Sequence, residues 1–390
     1  MAAELHGFRM LLGMSEPDTR KDESALPRRS LLKGIGAAGL SMGAVSCGPG
    51  ATGAGPAVHT GKRLRWRLAS SFPSTLDAMF GAAELICEEV GKMSDGRFEI
   101  RPYQAGEIVP GTEVLDAVQK GSVQMGQTCG YYYTGKAAAL ALETCVPFGL
   151  TARQQTAWLQ DGGGAELLAP ILSDFNIVSL PAGNTGTQMG GWFREEVTDL
   201  ASLKGLKMRI PGLGGKVMAE LGVSTQLLAG GEIYQALERG AIDATEWVGP
   251  YDDLKLGFHE VAKHYHYPGW WEPGPHLAFY VNQSEWEGLP EEYRAMLRGA
   301  SRRAAELMQV RYDARNPAAL AEILTKGVKL TPFTEDLMRS AREASEQLLS
   351  DMGSDDAQYG KIVAQWRKFR KESFQWFGTA ELGYAKFAFG

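Results

Sequence analysis

Apolar and polar residues alternate in short runs that are followed by segments with helical spacing. Leu64, Trp66 and Leu68 alternate with arginines, which predicts a strand there. Apolar residues then recur every three or four positions over 76–93, and alternation returns over 97–101. Strands that alternate with helices predict α/β layers and a largely parallel sheet.

One pattern occurs twice along the chain. Residues 113–126 and 232–245 each contain a short amphipathic helix, a basic residue, a glycine and a strand. Gly121 and Gly240 would end the two helices in the left-handed conformation. This arrangement is common in α/β proteins, but the spacing of the two copies suits two similar α/β lobes.

The segments between and after these copies are predicted to connect the two lobes. Residues 177–180 and 187–193 are predicted to be strands that cross from one lobe to the other, and 277–282 is the predicted return strand. A helix is predicted from Pro290 to about Arg315, longer than one lobe needs. Asn316-Pro317 is expected to break or kink it.

The chain ends in an aromatic segment with a basic helical background, over residues 362–389. Its aromatic residues are Trp366, Phe369, Phe374, Trp376, Phe377, Tyr384, Phe387 and Phe389. Such a segment is expected to dock, either on its own lobe or in a partner subunit.

The first sixty residues have the pattern of an export signal. Arg28-Arg29 is followed by a small, apolar, uncharged run over 34–45, which is typical of twin-arginine export. The run is too short and too rich in glycine to span a bilayer. The alternative is a chance basic pair before an alanine-rich helix. The leader is longer than usual, so the true start could be Met10 or Met14.

Cys47 follows small residues at the end of this signal. That arrangement resembles a lipoprotein cleavage site, at which residues 1–47 would form the signal and the thiol would be lipidated. Residues 48–61 would then be a flexible Gly/Ala/Pro tether. The alternative is plain cleavage near Ala57. Either reading predicts a periplasmic protein.

Composition narrows the function classes. Hydrophobic residues make up 44% and charged residues 22% of the 390, as in ordinary globular proteins and unlike disordered chains. The net charge of −6 argues against a nucleic-acid partner. Three cysteines lie beyond the leader, at Cys87, Cys129 and Cys145. Cys129 and Cys145 could form a disulfide, or the thiols could be buried and free.

Arg209 is the first candidate binding residue. It lies at the carboxyl end of a predicted strand, where open α/β sheets bind ligands, and glycines follow at 212–215. A planar guanidinium suits bidentate binding of a carboxylate. The alternative is a solvated arginine at the end of a strand.

A second set of candidates offers hard oxygen atoms. Gln188, Glu246 and Glu272 lie in polar or acid–aromatic clusters and could bind sodium or calcium together with a main-chain carbonyl. Each alone could equally be a hydrogen-bonded or surface residue. His264 and His266 could share a strand face and bind a metal, or be a surface pair.

No catalytic constellation emerges from the sequence. The chain has no Gly-x-Ser-x-Gly motif, no phosphate-binding loop and no His-x-x-x-His. We therefore expect a binding protein and not an enzyme. The alternatives are an exported, cofactor-loaded enzyme and a sensory organic-acid-binding module.

Two stretches resemble a known family. They are Ala-Thr-Glu-Trp-Val-Gly-Pro-Tyr-Asp-Asp at 244–253 and Pro-Gly-Trp-Trp-Glu at 268–272. With Arg209 they resemble the extracytoplasmic solute-binding proteins of TRAP transporters, the dicarboxylate-binding protein superfamily. The resemblance runs over about 64–361 and is closest to the 2-oxoacid-binding branch.

The resemblance implies a periplasmic-binding-protein-like α/β fold. Two α/β lobes would surround a hinge and cleft, with a long helix spanning both. The implied boundaries are 62–184 with 275–315 for lobe I and 185–274 with 316–355 for lobe II. Residues 356–390 would form a C-terminal aromatic helix through which members of the branch can form a homodimer.

The resemblance also implies a function and a site. The chain would capture a small 2-oxo or 2-hydroxy monocarboxylate with a sodium or calcium ion and deliver it to a membrane permease. Arg209 would bind the carboxylate, and the cation would be held by Gln188, Glu246, the carbonyl of Trp247, and Glu272. The implied ligand contacts are Arg209, Gln188, Trp247, Glu272, Phe72 and one of Tyr131, Tyr132 and Tyr133, with Tyr132 favoured.

Overall fold

The computed structural model describes residues 63–389. The predicted twin-arginine signal, Cys47, the tether and the choice of start codon lie outside the described residues. Within 63–389, no helix combines the length and the apolar character that crossing a bilayer requires.

Eleven strands form in the described part of the chain. They are β1 (Leu64–Ser70), β2 (Phe98–Tyr103), β3 (Met125–Thr128), β4 (Ile177–Asn184), β5 (Trp192–Phe193), β6 (Lys207–Arg209), β7 (Ser224–Gln226), β8 (Ala244–Thr245), β9 (His264–Tyr267), β10 (His276–Asn282) and β11 (Lys329–Pro332).

Fourteen α-helices form between and after these strands within residues 63–389. They are α1 (Phe80–Met93), α2 (Val114–Gln119), α3 (Leu140–Thr144), α4 (Ala152–Gln160), α5 (Gly164–Asp174), α6 (Gly212–Glu220), α7 (Gly230–Glu238), α8 (Pro250–Leu256), α9 (Phe258–Val261), α10 (Gln283–Glu287), α11 (Glu291–Thr325), α12 (Glu335–Asp355), α13 (Ala357–Phe377) and α14 (Gly383–Ala388). Short 3₁₀ turns occupy Gly130–Tyr133 and Ala201–Leu203, and a π-helical turn at Gly378–Leu382 joins α13 to α14.

The strands form two sheets, one for each lobe. The first has the order β2-β1-β3-β10-β4 and the second β11-β9-β5-β8-β6-β7. Each sheet contains parallel pairs, as predicted, but β10 runs antiparallel to β3 and β4, and β5 runs antiparallel to β8 and β9. The sheets are therefore mixed. The antiparallel strands are β5 and β10, and each follows a segment of the other lobe. Helical crossovers give a common direction only to the strands that they connect within one lobe.

The repeated pattern gives the predicted elements. The first copy forms α2 and β3, and the second forms α7 and β8. Gly121 and Gly240 follow the two helices with φ of 70° and 69°, which is the left-handed region where glycine is favoured.

The predicted crossing strand over 187–193 is wrong except at its end. Only Trp192–Phe193 is a strand, and the preceding residues form a loop. Gly191 has a φ of 81°, and a Cβ there would lie 2.5 Å from the carbonyl oxygen of Thr245. The close approach of two backbones therefore replaces strand pairing and creates the loop that carries Gln188.

Of the break or kink predicted at Asn316-Pro317, the break is wrong. Helix α11 is continuous over 35 residues with Pro317 inside it. The part of the helix before Pro317 buries Met308 and Tyr312, and the part after it buries Ile323, so both sides of the proline are held by packing. The side-chain oxygen of Asn316 also accepts a hydrogen bond of 3.0 Å from the main-chain nitrogen of Tyr251. These contacts offset the hydrogen bond that proline removes.

The aromatic C-terminal segment docks on its own chain in one half and is exposed in the other. In α13, Trp366 is fully buried, and Gln365 accepts a hydrogen bond of 2.7 Å from Trp158 of α4. This half docks on its own chain. The last large apolar side chains are exposed, namely Trp376, Leu382, Tyr384, Phe387 and Phe389.

All three cysteines in the described residues are buried free thiols. The structure therefore decides between the two alternatives for Cys129 and Cys145. Cys145 Sγ donates a long hydrogen bond of 3.8 Å to the main-chain oxygen of Trp271. Burial raises the pKa of each thiol above its usual range, so the thiols stay protonated.

Candidate ligand and cation site

Three segments of the second sheet's lobe meet at one place: the loop after β4, the end of β8 and the loop before β10. Main-chain hydrogen bonds join them. The Gln188 nitrogen donates to the Glu272 oxygen at 3.2 Å, and the Gly269 nitrogen donates to the Gln188 oxygen at 2.9 Å. The Met189 nitrogen donates to the Val248 oxygen at 3.0 Å. The loop that carries Gln188 is thus fixed against both other segments.

Arg209 lies beside this junction, at the end of β6, with only 1% of its surface exposed. Its Nη1 donates to the Glu246 carboxylate and, at 3.3 Å, to the Glu246 main-chain oxygen. Its Nε donates to the Leu228 main-chain oxygen at 3.2 Å, and the guanidinium lies 5.1 Å from the centre of a Trp247 ring. The predicted bidentate fork is therefore partly engaged by the protein itself, which holds the guanidinium in one orientation.

Buried polar atoms here that have no hydrogen-bond partner among residues 63–389 include Arg209 Nη2, Gln188 Oε1 and Glu246 Oε2. The amide nitrogen of Gln188 donates to Thr185 at 3.1 Å, so the amide is oriented while its oxygen stays unpartnered. Buried polar groups in proteins are normally satisfied. One donor and two acceptor oxygens left unsatisfied together are what a polar ligand and a cation require.

Glu246 is completely buried. Burial raises the pKa of its carboxyl to about 7, against the opposing effect of the Arg209 charge, and the charge of Asp253 adds to the rise. Its ionised form is held by one guanidinium only.

Glu272 is the second buried carboxyl, with 3% of its surface exposed. Burial raises the pKa of Glu272 well above its usual range, and the Glu246 charge raises it further, while Arg209 opposes the rise. Two carboxyls thus share one guanidinium. A positive ion between them would favour the ionised form of both.

The available donors fit a hard cation. Among residues 63–389 there is no group of three or more His, Cys, Asp or Glu side chains placed to hold a metal ion. The predicted set differs from such a group because it combines two carboxylates, one amide oxygen and one main-chain carbonyl. Oxygen donors of this kind suit sodium or calcium and not a transition metal. The unpartnered oxygens of Gln188 and Glu246 support this fit.

The first lobe supplies Tyr131 to the same place. Tyr131 packs on the start of α6, where a Cβ on Gly212 would lie 2.9 Å from Tyr131 Cβ. The Tyr131 hydroxyl donates to Glu272 at 3.4 Å. Tyr132 is half-buried, with its ring centre 5.0 Å from that of Tyr131, and Phe72 is completely buried at the end of β1. Sequence reasoning favoured Tyr132 and missed the contact of Tyr131, which no sequence spacing signals.

His264 and His266 do not form the predicted surface pair, and neither belongs to a group of three or more His, Cys, Asp or Glu side chains placed to hold a metal ion within residues 63–389. His266 is completely buried, stacks on Phe333 at 5.0 Å, and accepts a hydrogen bond of 3.4 Å from the Val197 nitrogen. Burial lowers the pKa of His266 to about 4, so it is neutral near pH 7. Its role is to pack the second sheet.

A second polar cluster was not predicted. Asp77, between β1 and α1, accepts hydrogen bonds from Tyr251 at 3.0 Å, from Arg315 at 2.7 Å and from Lys255. Burial opposes the effect, but these hydrogen bonds lower the pKa of Asp77 to about 2. The cluster ties the first lobe to α8, which starts four residues after Glu246, and to α11.

This fold and site can be compared with known proteins. The model of the bacterial extracellular solute-binding protein family 7 matches residues 69–356. The chain belongs to this family. The predicted resemblance to TRAP solute-binding proteins and the predicted two-lobed fold are therefore confirmed.

This solute-binding protein is 48% identical over 364 residues to a monocarboxylate 2-oxoacid-binding periplasmic protein of Nostoc sp.. The match covers 93% of this chain and 99% of the Nostoc protein.

Solved structures give the same assignment. A TRAP solute-binding protein of Bordetella bronchiseptica with calcium and picolinate bound is 41% identical, with a TM-score of 0.83 over 84% of this chain and 98% of that one. One from Pseudoalteromonas atlantica with sodium and pyruvate bound is 38% identical, with a TM-score of 0.81 over 83% and 99% of the two chains. One from Colwellia psychrerythraea with calcium and pyruvate bound is 36% identical, with the same TM-score and coverage. The family and these relatives are binding proteins, and nothing in the comparisons favours the exported enzyme or the sensory module.

Proposed function

We propose that the protein captures a small 2-oxo or 2-hydroxy monocarboxylate together with a sodium or calcium ion and delivers it to the membrane permease of a TRAP transporter. One observation carries the proposal: Arg209 Nη2, Gln188 Oε1 and Glu246 Oε2 are buried and unpartnered at the junction of three segments. The pyruvate, picolinate, sodium and calcium bound by the related proteins support it.

Arg209 would bind the ligand carboxylate through Nη2. Its Nη1 and Nε are already bound by Glu246 and Leu228, so the guanidinium needs no rearrangement. An interaction that is fixed before the ligand arrives costs little conformational entropy on binding. Burial also strengthens the attraction, because little water screens it.

The cation would be held by Gln188 Oε1, Glu246, the main-chain carbonyl of Trp247, and Glu272. When bound, it would supply positive charge that the two carboxylates lack and would attract the 2-oxo or 2-hydroxy oxygen of the ligand. The high pKa values of both carboxyls are consistent with this, because each carboxylate lacks enough positive charge in its surroundings.

Capture would depend on closure of two lobes. We place lobe I at 62–184 with 275–315, and lobe II at 185–274 with 316–355. Phe72 and Tyr132, with Tyr131, would form the aromatic wall that lobe I brings to the ligand. A ligand that contacts both lobes favours the closed form by the free energy of those added contacts. The closed form would dock on the permease.

Calorimetry on metal-depleted protein tests the function. Pyruvate, 2-oxobutyrate and lactate should bind in a 1:1 ratio when sodium or calcium is present, and succinate should bind weakly, because the site offers one free guanidinium nitrogen. If succinate bound best, or if no acid in the series bound, the proposed substrate class would be wrong.

We also propose twin-arginine export followed by lipidation at Cys47. Residues 28–47 support this by their pattern of paired arginines, apolar residues and a cysteine after small residues. Mass spectrometry of the protein recovered from native membranes should show a mature N-terminus at Cys47 carrying acyl chains. An unmodified N-terminus near Ala57 would contradict lipidation.

A homodimer through the C-terminal helix is the last part of the proposal. The exposed side chains of Trp376, Tyr384, Phe387 and Phe389 support it, because solvent-exposed aromatic clusters of this kind favour association. Light scattering should give twice the chain mass, and a chain with Tyr384, Phe387 and Phe389 changed to serine should be monomeric. A monomeric wild type would contradict the dimer.

A further inference from the structure

The peptide that joins Trp247 to Val248 carries one of the proposed cation ligands, the carbonyl oxygen of Trp247. This peptide is trans. In a trans, planar peptide the carbonyl oxygen and the N–H that follows it point in opposite directions. Whatever holds the Val248 N–H therefore also sets the direction of the Trp247 carbonyl.

Asp253 of α8 holds that N–H. Its Oδ1 accepts a hydrogen bond of 3.4 Å from the Val248 nitrogen, and both residues are buried. Among residues 63–389, no hydrogen bond reaches the Trp247 oxygen on the other side of the peptide. A carboxylate thus occupies one side of the peptide, while the carbonyl oxygen on the other side is available to a cation.

Asp253 is itself held by the second sheet. Its Oδ2 accepts hydrogen bonds from the Trp192 indole at 2.9 Å and from the Tyr265 hydroxyl at 2.6 Å. Both rings are completely buried, and they stack with their centres 4.0 Å apart. Trp192 lies on β5 and Tyr265 on β9, at paired positions of the two strands. The carboxylate is therefore fixed by the sheet before a cation arrives.

The next peptide is fixed to a second proposed cation ligand. The Val248 oxygen accepts a hydrogen bond of 3.0 Å from the Met189 nitrogen, in the loop that carries Gln188. Val248 is thus held on both sides, by Asp253 through its N–H and by this loop through its oxygen. Together these contacts set the Trp247 carbonyl relative to Gln188.

The carboxylate also acts on the charge of the carbonyl. A hydrogen bond from the N–H of an amide polarises the same amide, so its carbonyl oxygen attracts a cation more strongly. Outer groups that orient and tune metal ligands typically change metal affinity by about 10- to 100-fold when they are removed. The bond of 3.4 Å is long, so we expect an effect at the lower end of that range.

We infer that Asp253 is a positioning residue for the cation, which through the Val248 N–H orients and polarises the Trp247 carbonyl without touching the ion. The inference rests on the proposed function, because it takes the Trp247 carbonyl as a cation ligand. In a purely structural role, Asp253 would only satisfy the hydrogen bonds of Trp192 and Tyr265.

Calorimetry on the metal-depleted full chain, with saturating pyruvate at pH 8, measures the first consequence. Asp253→Asn cannot satisfy all three donors, because its amide nitrogen is itself a donor. Calcium affinity should fall about tenfold. Glu143→Gln is the matched control, since it changes a buried carboxyl that is bound by two hydroxyls, and it should bind calcium as the wild type does.

The outcomes separate the two proposals. Wild-type calcium affinity in Asp253→Asn would overturn the inference alone. A wild type that binds no calcium would overturn the proposed function and the inference with it.

One NMR signal reports on this peptide directly. Trp247-Val248 is the single Trp-Val pair in the sequence. Protein labelled with ¹³C at the tryptophan carbonyls and with ¹⁵N in valine therefore gives one cross-peak that links the Trp247 carbonyl to the Val248 amide. Calcium should shift the carbonyl carbon and the amide proton in the wild type and in Glu143→Gln.

Asp253→Asn should change this cross-peak even without metal. The Val248 amide proton should move upfield, because the N–H loses a charged acceptor, and calcium should then shift the carbonyl carbon less. The other valine amide signals show whether the variant is folded. A cross-peak at the wild-type position with and without calcium would overturn the inference, because a structural carboxyl alone would leave this peptide unchanged.

Trp192→Phe is a milder variant for the same test. It keeps an aromatic ring against Tyr265 but removes one of the two donors that fix the Asp253 Oδ2. We expect calcium affinity to fall about threefold and the cross-peak to shift in the same direction as in Asp253→Asn. No change in either measurement would contradict the inference.

Discussion

The two lobes each bury a glutamate, and the two residues differ in their hydrogen bonds. Glu143 of the first lobe is 3% exposed, and hydroxyls of Ser179 and Tyr280 bind both of its oxygens. Glu246 of the second lobe is completely buried, with one oxygen on Arg209 and the other without a partner in the described residues. Both oxygens of the Glu143 carboxyl have hydrogen-bond partners, whereas one oxygen of the Glu246 carboxyl has none within the described residues.

This difference would separate a structural polar group, Glu143, from the proposed binding group, Glu246. A buried carboxyl whose acceptors are all satisfied contributes to one folded state and has nothing left to offer a ligand. A buried carboxyl with an unpartnered oxygen costs folding free energy unless something binds it. The second lobe therefore carries a destabilising feature that a cation and a ligand would relieve.

The largest expected effect comes from removing Arg209, which within residues 63–389 is the one cationic side chain paired with Glu246. Arg209→Ala should weaken pyruvate binding about 100-fold, because truncating one partner of a buried charge pair costs about 2–5 kcal/mol. Calorimetry with calcium present measures it. Arg303→Ala, at an exposed arginine of α11, is the matched control and should bind as the wild type does. Wild-type affinity in Arg209→Ala would remove Arg209 from the site.

Exchanging the two glutamates for glutamine tests the comparison itself. Glu246→Gln should weaken pyruvate about tenfold and abolish its dependence on sodium or calcium, because a carboxylate ligand of the cation is lost. Glu143→Gln should leave pyruvate affinity unchanged but lower the unfolding free energy by about 1–3 kcal/mol, because an amide cannot accept at both positions. If the two variants behaved alike, the distinction between the two carboxyls would fail.

The pH dependence should show opposite signs for binding and for stability. The pKa of Glu246 is about 7, so pyruvate affinity at fixed calcium should fall several-fold between pH 8 and pH 6 as a proton displaces the cation. The free protein binds more protons when folded than when unfolded between about pH 4.5 and 7. Protonation of Glu246 therefore stabilises the folded protein as the pH falls through 7.

Burial also raises the pKa of Asp253 to about 7 and that of Asp252 to about 6, so these carboxyls titrate in the same range. Thermal unfolding of Glu246→Gln separates the contribution of Glu246 to the pH dependence from theirs. The variant should show a flatter pH profile than the wild type between pH 8 and 6. An identical profile would mean that Glu246 does not titrate in this range.

The smallest effect is expected at the contact between the lobes. Tyr131→Phe removes a long hydrogen bond of 3.4 Å to Glu272 and should weaken pyruvate only about threefold. Tyr132→Ala removes a whole ring from the proposed wall and should weaken it more. The reverse order, measured by the same titration, would place Tyr131 and not Tyr132 against the ligand.

Local patterns in the sequence predicted much of the fold. The alternation of apolar and polar residues predicted β1 and β2, and Gly121 and Gly240 predicted the ends of two helices. These features depend mainly on neighbouring residues, so the sequence pattern records them. The loop that carries Gln188 was missed, since it depends on the approach of Gly191 to the Thr245 carbonyl, 54 residues away in sequence. The continuity of α11 through Pro317 was missed for the same reason, since packing against distant elements holds it.

The same distinction between local and distant contacts applies to the candidate site. Arg209, Glu246, Glu272 and Gln188 were selected from residue type, strand ends and family resemblance, and the structure brings them to one junction. The pairing of Arg209 with Glu246 and the contact of Tyr131 with Glu272 could not be predicted. Each depends on which distant side chains meet once the two sheets have formed, and no spacing in the sequence records that.

A crystal structure of the protein with pyruvate and calcium tests the central claim most directly. We expect calcium, located by its anomalous signal, on Gln188 Oε1 and Glu246 Oε2, with the pyruvate carboxylate on Arg209 Nη2. Glu143 should keep its two hydroxyl partners. Pyruvate bound elsewhere, or Glu246 still paired only with Arg209 while pyruvate is bound, would contradict the account.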